Sequence, residues 1–82
     1  MTIDQFMSYS PQERASMVLT EGREILDRIF MYYIIRLYKY SDFYVELWYQ
    51  TASNRIDKIL VVDLEDVLHL YEKNIDISDL FK

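Results

Sequence analysis

The chain has no cysteine, so it offers no disulfide framework, no thiolate zinc site and no cysteine nucleophile. It has one glycine and one proline. A single glycine excludes a Gly-rich phosphate loop, and with 51% hydrophobic residues the chain is neither disordered nor collagen-like. Long apolar runs are missing as well. The most hydrophobic stretch, residues 29–35, lies between Arg28 and Arg36 and falls far short of the ~18 residues that read as a membrane span. Positive charge is scarce: nine Lys and Arg stand against fourteen Asp and Glu, a net charge of −5. Nucleic acid and anionic membranes reward clustered Lys and Arg, so neither is expected as a partner. The N-terminus opens Met1-Thr2-Ile3-Asp4-Gln5, with no basic segment leading into an apolar one, and the expected location is the cytoplasm.

A chain of 82 residues predicts one small domain, and so small a core makes self-association an expectation from the outset. Ser10-Pro11-Gln12-Glu13 is a capping box with proline at the first helical position, where its missing N–H costs nothing. It predicts a helix from Pro11 that turns Ala15, Val18 and Leu19 inward, with Met17 nearby. The helix stops at Gly22, expected as a left-handed cap. Thr2-Ile3-Asp4-Gln5 is a poorer box, expected to start a short helical turn that buries Ile3, Phe6 and Met7.

Residues 23–40 carry two signals. Ile25, Leu26, Ile29, Phe30, Tyr33, Ile34 and Leu37 fit helical spacing, whereas Ile29, Tyr32, Tyr33, Ile34, Ile35, Tyr38 and Tyr40 favour a pleated strand. Cross-strand pairing with the plain strand Phe43-Tyr44-Val45-Glu46-Leu47-Trp48-Tyr49 decides for strands. With Ser41 at the centre of the middle hairpin, Leu37 faces Val45, Ile35 faces Leu47 and Arg36 faces Glu46. A turn over Thr51-Ala52-Ser53-Asn54 then pairs Tyr49 with Ile56, Val45 with Leu60 and Phe43 with Val62. A reversal near Met31-Tyr32 pairs Leu26 with Leu37 and Asp27 with Arg36. Met31-Tyr32 lacks the Asn or Gly of a tight primed turn, which predicts a longer loop or an irregular first strand. Beyond Val62, Asp63 is expected to cap a helix whose inner stripe is Leu64, Val67, Leu68 and Tyr71. The tail Ile75-Asp76-Ile77-Ser78-Asp79-Leu80-Phe81-Lys82 is apolar enough to pack back or to engage another chain.

The sequence thus predicts an α+β fold: an N-terminal helix, an antiparallel β-meander of three to four strands and a C-terminal helix, one domain over residues 1–82. This element order, with Gly22, Ile25-Leu26, Arg28, Leu37-Tyr38 and the run from Asp42 to Tyr49, resembles short uncharacterised bacterial proteins of the Bacteroides type over roughly residues 11–72. The resemblance implies a helix, a meander and a helix, and no activity.

In the expected register the inner face collects Leu26, Phe30, Tyr33, Ile35, Leu37, Phe43, Val45, Leu47, Tyr49, Ile56, Leu60 and Val62. The opposite face carries Ile25, Ile29, Ile34, Tyr38, Tyr44, Trp48, Ile59 and Val61 around a charged row of Asp27, Arg36 and Glu46. An apolar patch rimmed by charge marks a protein contact, with Tyr and Trp as its anchors. The expected interface is therefore Tyr38, Tyr44, Trp48, Ile34, Ile59, Val61, Arg36 and Glu46. It would serve a homodimer or an unidentified protein partner, unless a helix or the tail folds over it.

No catalytic residue, metal site or cofactor is expected. The charged row reads as a surface ladder. Asp66 and His69 have the spacing of half a metal site but lack ligands from a second element, and no serine sits in a nucleophile elbow. The aromatic face could stack on single-stranded RNA, but the acidic residues beside it oppose that. The expected function is a noncatalytic, self-associating interaction module. The alternative is an acidic inhibitor or immunity-type protein that engages a basic site through Asp63, Glu65, Asp66 and Glu72.

Overall fold

The computed structural model describes residues 1–74. Two helices, α1 (Ile3–Met7) and α2 (Pro11–Glu21), precede four strands, β1 (Arg23–Phe30), β2 (Tyr33–Tyr40), β3 (Phe43–Gln50) and β4 (Ile56–Val62). A single helical turn, α3 (Leu64–Val67), then runs into a 3-10 helix over Leu68–Asn74. The sheet order is β1-β2-β3-β4 and every pair is antiparallel. This is the α+β arrangement expected, with residues 23–40 resolved as a hairpin rather than a helix. The apolar tail, residues 75–82, lies outside the described residues. No helix among the described residues is long and apolar enough to cross a membrane.

Both N-terminal capping boxes form: Ser10 Oγ accepts from the Glu13 N–H at 3.2 Å, and Thr2 Oγ1 from the Gln5 N–H at 3.1 Å. Helix α2 buries Val18, leaves Ala15 and Met17 half-buried and exposes Leu19; α1 buries Phe6 but leaves Ile3 and Met7 exposed. Gly22 ends α2 as expected but in extended backbone, with φ −79° and ψ 165°, and not as a left-handed cap. Its requirement is space. A Cβ there would stand 2.5 Å from the Val18 carbonyl oxygen, closer than any real contact.

The first hairpin keeps the expected register, Leu26 opposite Leu37 and Asp27 opposite Arg36. Its loop is only the two residues Met31 and Tyr32, because Met31 adopts a positive φ of 53°. The irregularity falls instead in β1, where a bulge lies between Glu24 and Leu26. In the middle hairpin the expected register is off by one. Ser41 and Asp42 form a two-residue loop with Ser41 at φ 54°, so Leu37 faces Glu46, Ile35 faces Trp48 and Tyr38 faces Val45. In β3–β4 the pair Tyr49–Ile56 holds. A bulge beside it then moves Val45 opposite Val61 and Glu46 opposite Leu60.

A one-residue slip transfers every side chain of a strand to the other face, and it does so here. Instead of one core face and one open face, the sheet has a core on each side. Against α1 and α2 lie Tyr38, Tyr40, Phe43, Val45 and Leu47, closed by Phe6 and Val18, with Ile56, Ile59 and Val61 at the margin. Phe6, Tyr40 and Phe43 form an aromatic triangle with ring centroids 5.4–5.6 Å apart. We call this the α2 face. On the opposite, α3 face, Ile35 and Leu37 are fully buried, and the 3-10 helix packs against β1 and buries Tyr71. Asp63 makes no side-chain cap to α3; its backbone carbonyl accepts the Asp66 N–H at 3.0 Å instead.

Candidate protein interface

The eight residues expected to form one aromatic interface are divided between the two faces. Tyr44, Glu46 and Trp48 share the α3 face, whereas Ile34, Arg36, Tyr38, Ile59 and Val61 share the α2 face. Tyr38 is core, 8% exposed, and burial, followed by its neighbour Tyr49, pushes its hydroxyl up to about 12. Glu46 is 2% exposed. Ile34, Arg36, Tyr44, Trp48, Ile59 and Val61 are half-buried. The charged row is likewise split: Arg36 pairs with Glu24 at 2.9 Å and lies over the Tyr49 ring, while Glu46 pairs with Arg28 on the other face.

On the α3 face the structure assembles a network absent from the sequence-based expectation. Strand β1 delivers Arg28 and β3 delivers Glu46 to neighbouring rows, and the 3-10 helix brings Tyr71 down onto both. Glu46 Oε2 accepts the Tyr71 hydroxyl at 2.7 Å and an Arg28 guanidinium N–H at 3.5 Å; its Oε1 accepts the Trp48 indole N–H at 3.2 Å. The guanidinium lies 5.3–6.0 Å from the ring centres of Tyr71, Trp48 and Phe30, within cation–π range. Its Nε is buried and has no hydrogen-bond partner. Burial, reinforced by the bond to Glu46, raises the Tyr71 hydroxyl well above the ordinary tyrosine range. Three donors, the guanidinium among them, thus hold the Glu46 carboxylate in place.

Toward the far end of β1 this network opens to the surface. Trp48 meets Tyr33 and Phe30 edge-on at 5.2 and 6.2 Å, and Lys58 lies 5.0 Å from its ring. Tyr33 donates to Asp57 at 2.6 Å, a bond that raises its hydroxyl. Beyond them the hairpin tip presents four consecutive large apolar residues, Ile29 (75% exposed), Phe30 (46%), Met31 (75%) and Tyr32 (79%). The tip is braced from behind, where the Tyr32 carbonyl accepts the Thr51 N–H of the β3–β4 turn at 2.9 Å. The sequence signal for this patch is the apolar run at residues 29–35, too short for a membrane span but long enough to form a surface. His69 is exposed, and among the described residues no cluster of three or more His, Asp or Glu is placed to hold a metal ion.

The chain matches no protein-family model, no curated protein and no solved structure.

Proposed function

We propose that the chain is a noncatalytic protein-interaction module that self-associates through the tip of the β1–β2 hairpin, with Phe30, Met31 and Tyr32 as anchors and Trp48 behind them. One observation carries this reading: Met31 occupies the left-handed position of a two-residue turn at φ 53° while 75% exposed. Asn or Gly would relieve the backbone there by about 1 kcal/mol and suit water better. A bulky apolar residue at a strained and solvated position points to function. Two further features support a second copy as the partner. The brace to Thr51 fixes the tip, which reduces the ordering cost of association. Methionine next to two aromatic rings also gives the tip the means to pack against itself across a twofold axis, by sulfur–aromatic contact.

The test is absolute mass by size-exclusion chromatography with light scattering, across a wide concentration range. The wild type is expected to dimerise. Met31→Asn combined with Tyr32→Ser should be monomeric while keeping or raising its thermal midpoint, which separates association from folding. A wild type that remains monomeric at every concentration refutes self-association, and a variant that still dimerises places the contact elsewhere. A second reading, an acidic protein that occupies a basic site, is favoured by the exposure of Asp63, Glu65 and Asp66 around the first turn of α3. It predicts association with a basic partner that weakens steeply with salt, whereas contact through the tip is nearly insensitive to salt.

A further inference from the structure

The groove between α2 and the β3–β4 edge, on the α2 face and apart from the hairpin tip, has a volume of about 820 Å³. That is the size of a small-molecule site. Its floor is apolar, formed by Ala15, Leu19, Tyr49, Ile56 and Ile59. Leu19 is 50% exposed there, a leucine on a helix whose next-door Val18 is core. The lining charges run against the rest of the molecule. In a chain of net charge −5, the charged groups of the groove are two arginines, Arg14 and Arg55, and one aspartate, Asp57.

Those charges are not mutually cancelled. Asp57 Oδ2 already accepts the Tyr33 hydroxyl. Half-buried Arg14 is tethered by neutral partners, its Nε donating to the Tyr9 carbonyl at 3.1 Å and one terminal nitrogen lying 3.6 Å from Met7 Sδ. Arg55 is exposed, and its backbone carbonyl closes the β3–β4 turn by accepting the Gln50 N–H at 2.9 Å. Neither arginine enters an ion pair among the described residues. An apolar floor demands an apolar body. Guanidinium forks match a carboxylate with two parallel bonds.

We propose that this groove binds a small amphipathic carboxylate, its hydrocarbon body over Ala15, Leu19, Ile56 and Ile59 and its carboxylate against Arg14 and Arg55. The site is independent of the hairpin tip, so the two readings fail separately. The test is amide NMR titration of the full chain with octanoate, with acetate and octyltrimethylammonium as controls. Octanoate should give saturable shifts confined to α2 and residues 54–59. Acetate, lacking the body, and octyltrimethylammonium, carrying the wrong charge, should give none there. The double variant Arg14→Gln/Arg55→Gln, which gives up the exposed Arg14 bond to the Tyr9 carbonyl but no ion pair of the described residues, should keep its far-UV spectrum and weaken octanoate binding about tenfold or more, as loss of charge-assisted hydrogen bonds requires. Equal binding of the cationic amphiphile, an unchanged affinity in the double variant, or shifts centred on residues 29–32 would each overturn the proposal.

Discussion

Removing one oxygen atom, in Tyr71→Phe, tests how the α3 face is closed. The ring stays, so the packing against β1 and the stacking on Arg28 are retained. What disappears is the hydroxyl donated to Glu46 at 2.7 Å, the shortest of the three bonds on a carboxylate that is 2% exposed. The remaining partners are the Trp48 indole at 3.2 Å and the Arg28 guanidinium at 3.5 Å, too long to take over the charge. A hydrogen bond to a buried charged group is worth about 1.5–3 kcal/mol when its donor is deleted. A domain of this length has roughly 4–12 kcal/mol of total stability, so the loss is a large share of it. It corresponds to a fall in the thermal midpoint of about 6–20 °C. Urea unfolding followed by Trp48 fluorescence and far-UV circular dichroism together would measure it. Native-state hydrogen exchange should show Leu68–Asn74 opening more often while β2 and β3 keep their protection. A variant within about 0.5 kcal/mol of wild type would refute the claim that Tyr71 satisfies Glu46, since that is the scatter of ordinary surface substitutions.

Glu46→Ala should cost about 3–5 kcal/mol by stranding the Arg28 guanidinium, whereas Arg28→Met with Glu46→Leu should recover most of that in the same urea assay; equal losses in both would mean the pair is not coupled. Gly22→Ala should destabilise by about 1–3 kcal/mol through the clash with the Val18 carbonyl, opposite in sign to the roughly 0.4–1 kcal/mol gain that the same change gives where alanine fits. Tyr38, Tyr40 and Tyr71 are all raised chiefly by burial, Tyr38 to about 12. Between the unfolded value near 10 and that folded value the unfolded chain alone releases their protons, so stability is whole below about pH 10 and falls through about pH 12. Urea midpoints at about pH 9 and about pH 11 would check this, and Tyr38→Phe should flatten part of the slope.

The element boundaries were legible because each has a local cause. Ser10 and Glu13 fix the start of α2, and β4 begins and ends at Ile56 and Val62 as its β-branched run dictates. The register between β1 and β2 was legible too, since Asp27 opposite Arg36 is the one arrangement that aligns both the charges and the leucines. The middle register was not. In β3, Phe43, Val45, Leu47 and Tyr49 alternate with Tyr44, Glu46 and Trp48, so both faces are apolar and alternation says nothing about which is inward. The one charged residue, Glu46, reads as an outward marker on any hydropathy pattern. It is in fact among the most buried side chains, because Arg28 from β1 and Tyr71 from the 3-10 helix meet it beside Trp48, two residues along its own strand. The expected interface rests on that register and so joins residues that the sheet divides between its faces, while Met31 and Tyr32, which lack the residues of a tight turn, are the most exposed large hydrophobic pair in the described chain.

The order in which the sheet's two sides are covered follows the order of the chain. Helices α1 and α2 precede every strand, and β1 to β4 pair only with their sequence neighbours, so one side of each hairpin has its lid waiting as it forms. The other side has to wait for Tyr71, nine residues beyond the last strand. Until Leu68–Asn74 docks, the sheet exposes Ile35, Leu37 and an Arg28–Glu46 pair that lacks the Tyr71 hydroxyl. A chain cut after Val62 would therefore be a molecule with one finished side and one adhesive side.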